Sequence, residues 1–368
     1  MIRRQLILLD DHTVDYRMGR GAMEELPRLF AGAVTKPKRA VLVTDTRLAE
    51  GRGIDVSRSL IDAGFRVSDL SLPTGEHVAT MGYASQLLDA LAGCGATADD
   101  LIVAFGDAEV CALAQLASSI WLNGVTLALV PSTLDAMVTV ATTMCALDVP
   151  SAPEMVSVRP RVGLVVCDLD LVVDAPAEEL YMGYVDLVGS IFCDSRRVWE
   201  RFGERVDDVA AGDEPALIDA LGSAQTARSS VVKAPNPSSR SALSFGVTTA
   251  RALRSCLGPE IPWWQLVAEG MRFESRLAVD AQDLDVDDAF SIDDRLAALG
   301  IDELPFSLTV ERFVAALRET RFLRANRFMF SLPHNPGSVR LTVVEDDLLE
   351  QHAAAYLASR AELLDEDA

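Results

Sequence analysis

Two residues four positions apart, Val247 and Arg251, follow a Phe-Gly turn in residues 243–253. On a helix this spacing places both side chains on one face, where a pair of histidines could bind a metal ion. Neither valine nor arginine is a zinc ligand. The spacing is therefore either accidental or the remnant of a site whose ligands have been replaced.

A second group of residues with chemical potential follows the apolar run at residues 101–105. The chain there reads Gly106, Asp107, Ala108 and Glu109. A pyrophosphate needs close glycine backbone and a helix N-terminus without opposing charge. The two carboxylates would stand where phosphate oxygens lie, or they simply begin a helix and complement its dipole. Both interpretations count against strong dinucleotide binding.

The elements that position these residues alternate between strand and helix in the first half of the chain. Short apolar runs at residues 40–44, 101–105, 126–130 and 163–166 indicate buried parallel strands, and residues 81–92 and 110–122 show helical spacing. Ligands of such sheets bind beyond the carboxyl ends of the strands. From residue 175 the patterns become helical, at 176–202, 214–232, 240–256, 263–279 and 309–317, followed by strand-like runs at 327–332 and 338–344.

These patterns predict an α/β, Rossmann-like domain over residues 1–174 and a mostly α-helical domain with a late strand pair over residues 175–360. Residues 361–368 form an acidic tail that we expect to fray. The cleft between two such domains is the default place for a small-molecule substrate.

Composition excludes several classes of function. The net charge of -22 and the pI near 4.5 disfavour nucleic acid and anionic membranes as partners. No run is long and apolar enough to span a bilayer, and the N-terminus meets acidic residues too early for a secretory leader, so we expect a cytoplasmic protein. Six cysteines without a CxxC spacing indicate reduced thiols, and four dispersed histidines announce no metal site.

Ordered short motifs carry a resemblance to a known family. They are residues 43–45 (Val-Thr-Asp), 72–76 (Leu-Pro-Thr-Gly-Glu), the turn at Gly106, 130–134 (Val-Pro-Ser-Thr-Leu), Gly183 with Asp186, 240–246 (Arg-Ser-Ala-Leu-Ser-Phe-Gly), 269–271 (Glu-Gly-Met) and 330–333 (Phe-Ser-Leu-Pro). In this order and spacing the chain resembles dehydroquinate synthase and the wider sugar phosphate cyclases, from about residue 16 to residue 344. The resemblance implies the dehydroquinate synthase-like fold, bound NAD, a zinc ion and a ring of cations that holds a phosphorylated sugar acid.

The resemblance assigns cofactor-binding positions to Asp45, Glu76, Gly106 and Thr133, which are retained, but the glycines expected after Gly106 are replaced. Its three metal ligands, a glutamate and two histidines, correspond to Asp186, Val247 and Trp263. Because zinc needs at least three protein ligands, we expect no metal and no cofactor, with residual NAD binding at most.

The substrate-binding positions are also altered. Asn123 and Cys145 stand where the resemblance implies an arginine and a lysine, while Arg240 is retained and Arg251 stands where a histidine would be. The expected catalytic residues are therefore Asp186, Arg240 and Arg251. The expected substrate pocket is lined by Asn123, Cys145, Val247, Trp263 and His334.

These replacements predict a repurposed cyclase or lyase of specialised, natural product metabolism. It would act without zinc and without NAD on a non-phosphorylated, more apolar substrate, because losing several charge-assisted hydrogen bonds leaves a phosphorylated sugar acid poorly held. The alternative is an inactive pseudoenzyme that stabilises or regulates a partner, as a homodimer or with a paralogue. A pocket that has collapsed and filled with its own side chains would fit that alternative.

Overall fold

The computed structural model describes residues 2–9, 12–36, 38–75, 77–143, 145–150, 152–159, 161–234, 241–322 and 329–366. The chain divides into two compact units, Met1–Gly183 (unit 1) and Tyr184–Ala368 (unit 2). The division falls inside a helix, later than the boundary at residue 174 that the sequence predicts.

Unit 1 is built on a mostly parallel sheet. Its strands are β1 (Arg3–Leu8), β2 (Thr13–Gly19), β3 (Arg39–Asp45), β4 (Arg66–Leu72), β5 (Leu101–Gly106), β6 (Thr126–Pro131), β7 (Cys145–Val149), β8 (Ala152–Val158) and β9 (Leu164–Asp168). Seven of the described strands form one sheet in the order β1-β2-β9-β6-β5-β3-β4, with only β1 antiparallel, and β7 and β8 form a separate antiparallel hairpin. The strand order reverses between β3 and β5, and this is the point at which such sheets bind ligands.

Helices cover both faces of the sheet. They are α1 (Leu26–Ala33), α2 (Thr46–Ala49), α3 (Gly53–Asp62), α4 (Met81–Gly93), α5 (Ala108–Ile120) and α6 (Leu134–Thr139). Phe30 of α1 and Leu60 of α3 share a buried cluster with Val103 and Phe105 of β5. Gly106, which alternation places on the other face, lies against Val110 of α5.

Unit 2 is mostly helical. After α7 (Ala177–Phe192), which begins in unit 1, come α8 (Arg196–Gly203), α9 (Val206–Ala210), α10 (Glu214–Lys233), α11 (Val247–Leu257), α12 (Trp263–Gln282), α13 (Val286–Ala298), α14 (Val310–Phe322) and α15 (Asp346–Glu366). A hairpin of β10 (Phe330–Asn335) and β11 (Ser338–Thr342) lies between α14 and α15. None of the helices in the described part of the chain is apolar over a length that would cross a bilayer.

A buried ionic network joins helix α12 to helix α15. The fully buried Glu269 pairs with Arg360 Nε of α15 at 2.5 Å, accepts a hydrogen bond from the Tyr356 hydroxyl and lies 3.4 Å from Arg272 Nη1. Phe273, one turn further, packs edge-on against Tyr356. Because a buried carboxylate is tolerated only with such partners, this network fixes where α12 meets α15.

The predicted fold class is confirmed, and so are most of the predicted strands and helices. Three differences are found, and the first two have local causes. The pattern at 176–202 is two helices, because Ser195 accepts the Val198 N–H and begins α8. The pattern at 240–256 becomes α11 only after Gly246, whose φ of 83° is left-handed. The acidic tail continues α15 as far as Glu366.

Candidate functional site

The carboxyl ends of β3 and β5 bring two aspartates to the reversal point of the sheet in unit 1. Asp45, the last residue of β3, accepts hydrogen bonds from Leu48 N at 2.9 Å and from the Thr74 hydroxyl at 3.1 Å. Asp107 follows β5 and accepts from Val110 N at 2.9 Å, so it caps α5. Partial desolvation, and then the nearby carboxylates of Glu109 and Asp45, raise the pKa of Asp107.

The next strand adds a third carboxyl group. Asp135 lies in the first turn of α6, behind β6, and burial together with the nearby charge of Asp107 raises its pKa. Thr133 precedes α6 at the capping position without a side-chain cap bond. Gly183 allows α7 to approach this turn, because a Cβ there would lie 2.4 Å from Leu134 Cγ.

A histidine joins three elements at the same edge of the sheet. His77 Nδ1 lies 2.8 Å from Glu109 Oε1 of α5, and His77 Nε2 lies 2.9 Å from Asp148 Oδ2 of β7. These two carboxylates outweigh the desolvation of the ring and raise the pKa of His77, because both ring nitrogens can donate only in the imidazolium form.

Hydrogen bonds from backbone N–H groups link the same elements. Glu109 Oε2 accepts from Val78 N at 2.8 Å and from Ala79 N at 3.3 Å, and Asp148 N donates to Ala79 O at 2.8 Å. We call His77, Glu109 and Asp148 the His77 clamp. It attaches the segment after β4 to the start of α5 and to the β7–β8 hairpin.

In unit 2, three elements meet around Met271 of α12. A Cβ on Gly189 of α7 would lie 2.7 Å from Met271 Cε, and a Cβ on Gly246 would lie 2.8 Å from Met271 Cγ. A Cβ on Gly270 would lie only 2.0 Å from Gly246 O. Backbone therefore packs directly on backbone where the turn before α11 crosses α12, and no other residue type fits at Gly270.

The buried Glu274, one turn beyond Gly270, closes this junction. It accepts from Gly246 N at 2.7 Å, from Thr249 N at 3.1 Å and from the Thr249 hydroxyl at 2.8 Å, so it caps α11 from a neighbouring helix. Burial raises its pKa to about 7 despite these three donors. Sequence reasoning missed this residue, although its spacing from Gly270 places both on one face of α12.

The residues that the resemblance assigns to a metal all lie on these elements. Asp186 is on α7, one turn before Gly189; Val247 is the first residue of α11; Trp263 is the first residue of α12, with the Arg254 guanidinium 5.9 Å from its ring. All three are half-buried, as is Arg251 on α11. Val247 follows the Gly246 junction directly, whereas Trp263 lies about 10 Å along α12 before Gly270.

Other predicted site residues are not brought to either place. Asn123 is exposed beyond the end of α5, about 20 Å along that helix from Asp107. His334 bonds through Nδ1 to Gln282 O at the end of α12, about 30 Å along that helix from Trp263. Glu76 and Arg240 fall outside the described residues, as does the side chain of Cys145.

Comparison with solved structures identifies the architecture. A 2-deoxy-scyllo-inosose synthase complexed with carbaglucose-6-phosphate, NAD+ and Co2+ superposes with a TM-score of 0.83 at 16% identity, covering 95% of this chain and 99% of that chain. ValA, the 2-epi-5-epi-valiolone synthase of Streptomyces hygroscopicus subsp. jinggangensis, with NAD+ and Zn2+ bound, gives a TM-score of 0.79 at 15% identity, covering 98% and 99%. The fold is that of the dehydroquinate synthases and sugar cyclases.

Sequence comparison points the same way. Residues 69–182 match the family model described as 3-dehydroquinate synthase N-terminal. The 3-dehydroquinate synthase of Caulobacter vibrioides is 27% identical over 76% of this chain and 78% of its own length, and that of Nostoc punctiforme is 24% identical over 85% and 89%. The chain therefore shares its fold, and part of its sequence, with the 3-dehydroquinate synthases and the sugar cyclases.

One expectation from the sequence is wrong by these comparisons. We expected a protein with no metal and no cofactor, or with residual NAD binding at most. The similar synthase structures are complexes with NAD+ and with Co2+ or Zn2+. The replacement of single binding residues was therefore an insufficient reason to predict a cofactor-free protein.

The side chains fit such groups unevenly. At the positions that the resemblance assigns to a metal, Asp186 can ligate, whereas Val247 and Trp263 cannot. Across the described ranges, no three His, Cys, Asp or Glu residues group in a way that could hold an ion. On the nucleotide side, Asp45 occupies the expected place at the end of β3, but Asp107 caps the α5 N-terminus that would meet a pyrophosphate.

Proposed function

We propose that this protein is a cyclase or lyase with the dehydroquinate synthase fold that acts on a substrate carrying no phosphate at the edge of its N-terminal sheet. The observation that carries the proposal is the pair Asp107 and Asp135, two nearby carboxyl groups with raised pKa behind adjacent strands. A phosphate placed there would be repelled by the ionised Asp107, the base of the pair, whereas a neutral or weakly polar substrate would not.

The same pair can do the chemistry. Cyclisation by aldol addition and elimination both need a proton removed beside a carbonyl group and a proton delivered to an oxygen. A carboxyl group whose pKa is raised toward neutrality performs either step more effectively than one with an ordinary pKa. Asp135, which is half-buried, is the better candidate for the acid, and the more exposed Asp107 for the base.

The similar synthases suggest which cofactor to supply. Since those structures hold NAD+ and a divalent metal, we propose the carboxyl edge near Asp45 as the nucleotide side of this site. The negative charge of Asp107 would weaken the binding of a nucleotide there. Asp135 would stay available to the substrate. Separately, Asp186, Arg240 and Arg251 stay proposed catalytic residues, and Asp186 and Arg251 are half-buried within unit 2.

The phosphate claim is tested with a matched pair of ligands. Gluconate and 6-phosphogluconate share a sugar-acid body and differ only in the phosphate group. We expect 6-phosphogluconate to bind no more tightly than gluconate, measured by calorimetry with NAD+ and Zn2+ present. Binding of the phosphate ester ten times more tightly than the free acid would refute the proposal.

Catalysis is tested without knowing the substrate. The protein is incubated with a small-molecule extract, NAD+ and Co2+ or Zn2+, and consumed compounds are followed by mass spectrometry. We expect compounds that wild type consumes and Asp135→Asn does not, while the exposed Asp62→Asn behaves as wild type. If none of the three proteins consumes any compound of the extract, catalysis at Asp135 is refuted and the pseudoenzyme alternative is favoured.

A further inference from the structure

A cavity of about 360 Å³ lies in unit 1 at the opposite edge of the sheet from the proposed active site. Its wall is formed where β2, β6 and β9 begin and where α1 ends. Leu29, Leu127 and Leu164, all mostly buried, form its apolar floor, and Arg17 and Arg28 supply charge. The volume is within the range of natural small-molecule sites.

The charge at this cavity is positive, although the chain as a whole carries -22. Asp15 is held from both sides by arginines, with Arg17 Nε at 2.9 Å and Arg4 Nη2 at 2.9 Å. These contacts lower the pKa of Asp15 against the effect of its burial, so it stays ionised. One carboxylate is shared by two guanidinium groups, so this cluster, of which Asp15 and Arg17 line the cavity, carries a net positive charge.

Arg28 supplies a further guanidinium group at the rim. It pairs with Glu25, the residue before α1, at 2.5 Å, in an exposed contact that contributes little to stability. An incoming anion can therefore draw on Arg28 without breaking a buried interaction. Gly32 completes the opening, since a Cβ on this residue would meet no other atom within 4 Å.

We propose that this cavity, defined by Arg17, Arg28, Leu29, Gly32, Leu127 and Leu164, binds a small organic monoanion, a carboxylate with an apolar body. The apolar body lies against the three leucines and the carboxylate against the arginines. This site is separate from the proposed catalytic edge, because it lies where the strands begin and Asp107 and Asp135 lie where they end.

The ligand class is tested with three compounds of one shape. Benzoate, benzamide and benzamidine are anionic, neutral and cationic, and their binding to the full chain is measured by calorimetry at low salt. We expect benzoate to bind at least ten times more tightly than benzamide and benzamidine not to bind. Equal binding of benzoate and benzamide, or no binding of benzoate, would overturn the proposal.

The location is tested with three substitutions. Arg28→Gln should weaken benzoate binding about fivefold, and Gly32→Leu should abolish it by filling the opening, while Gly32→Ala leaves room and should bind as wild type. Arg66→Gln removes an exposed arginine from the start of β4, outside the cavity, and should have no effect. Unchanged binding by Gly32→Leu would show that benzoate binds elsewhere and would also overturn the proposal.

Discussion

Replacing His77 by glutamine should loosen the segment after β4 at pH 6 and have almost no effect at pH 9. In the wild type, the imidazolium bonds to Glu109 and Asp148 at 2.8 and 2.9 Å. Because the pKa of His77 is raised in the folded state, the folded protein holds this proton more tightly than the unfolded chain does. The stabilisation is complete below the ordinary histidine pKa of about 6.5 and is lost as the pH rises through the folded-state value.

The size of the effect follows from exposure. His77 is 51% exposed and its partners 40% and 26%, so each contact is worth what partly exposed ion pairs are worth, about 0.5 kcal/mol, or about 1 kcal/mol for both. Opening of the segment should then become about fivefold more frequent in His77→Gln at pH 6.

Hydrogen exchange of individual amides measures this directly. The informative N–H groups are those of Val78 and Ala79, which donate to Glu109, and that of Asp148, which donates to Ala79 O. Arg58→Gln is the control, because it removes a cation from an exposed ion pair on α3, away from the His77 clamp. Equal loss of protection at both pH values would show that His77 acts by packing, and an imidazole midpoint at or below 6.5 in an NMR titration would refute the raised pKa.

Three further predictions concern the junction in unit 2 and the edge of the sheet in unit 1. Gly270→Ala should destabilise unit 2 by about 1–3 kcal/mol in urea unfolding, because its Cβ would meet Gly246 O at 2.0 Å. In the control Gly93→Ala the new Cβ has open space around it, so this variant should be neutral or slightly stabilised. Burial raises the pKa of Glu274 to about 7, so between pH 4.5 and 7 the folded state keeps a proton that the unfolded chain has released. The free energy of unfolding therefore falls as the pH rises through this range. Glu274→Gln should remove up to about 3 kcal/mol of that fall, and an unchanged slope of stability against pH would contradict the assignment. Asp107→Asn keeps the cap of α5 but removes a negative charge, so it should tighten NAD+ binding about fivefold, measured by calorimetry. The exposed Asp99→Asn is the reference variant. An unchanged affinity in Asp107→Asn would place the nucleotide away from α5.

Local patterns were enough to predict most of the elements, because each depends on the spacing of apolar residues within a short segment. Periodicity placed the start of α10 at Glu214 and of α12 at Trp263 correctly. It placed the start of α11 too early, since the pattern continues through Gly246 while the backbone there turns left-handed. Residues 286–298 and 346–366 are helices that the sequence interpretation did not include.

The candidate sites were harder to predict because their partners are far apart in the sequence. His77 meets carboxylates 32 and 71 residues away, and Glu274 caps a helix that begins 27 residues before it. No local pattern contains that information. The resemblance assigned Val247 and Trp263 to one site, but Trp263 begins α12 about 10 Å along that helix before Gly270, and Asn123 and His334 lie at the far ends of their elements.

The aspartates at the ends of β3 and β5 also change the electrostatic potential at the carboxyl edge of the sheet. In a parallel α/β sheet the helix N-termini gather at the carboxyl edge, and their summed dipoles usually make that edge attractive to anions. In this chain Asp45 caps α2, Asp107 caps α5 and Asp135 stands in the first turn of α6. Asp45 and Asp107 place carboxylates at the positive ends of these dipoles, so the protein itself reduces the attraction of this edge for a phosphate. What reaches this edge is then selected by shape and hydrogen bonding more than by long-range attraction.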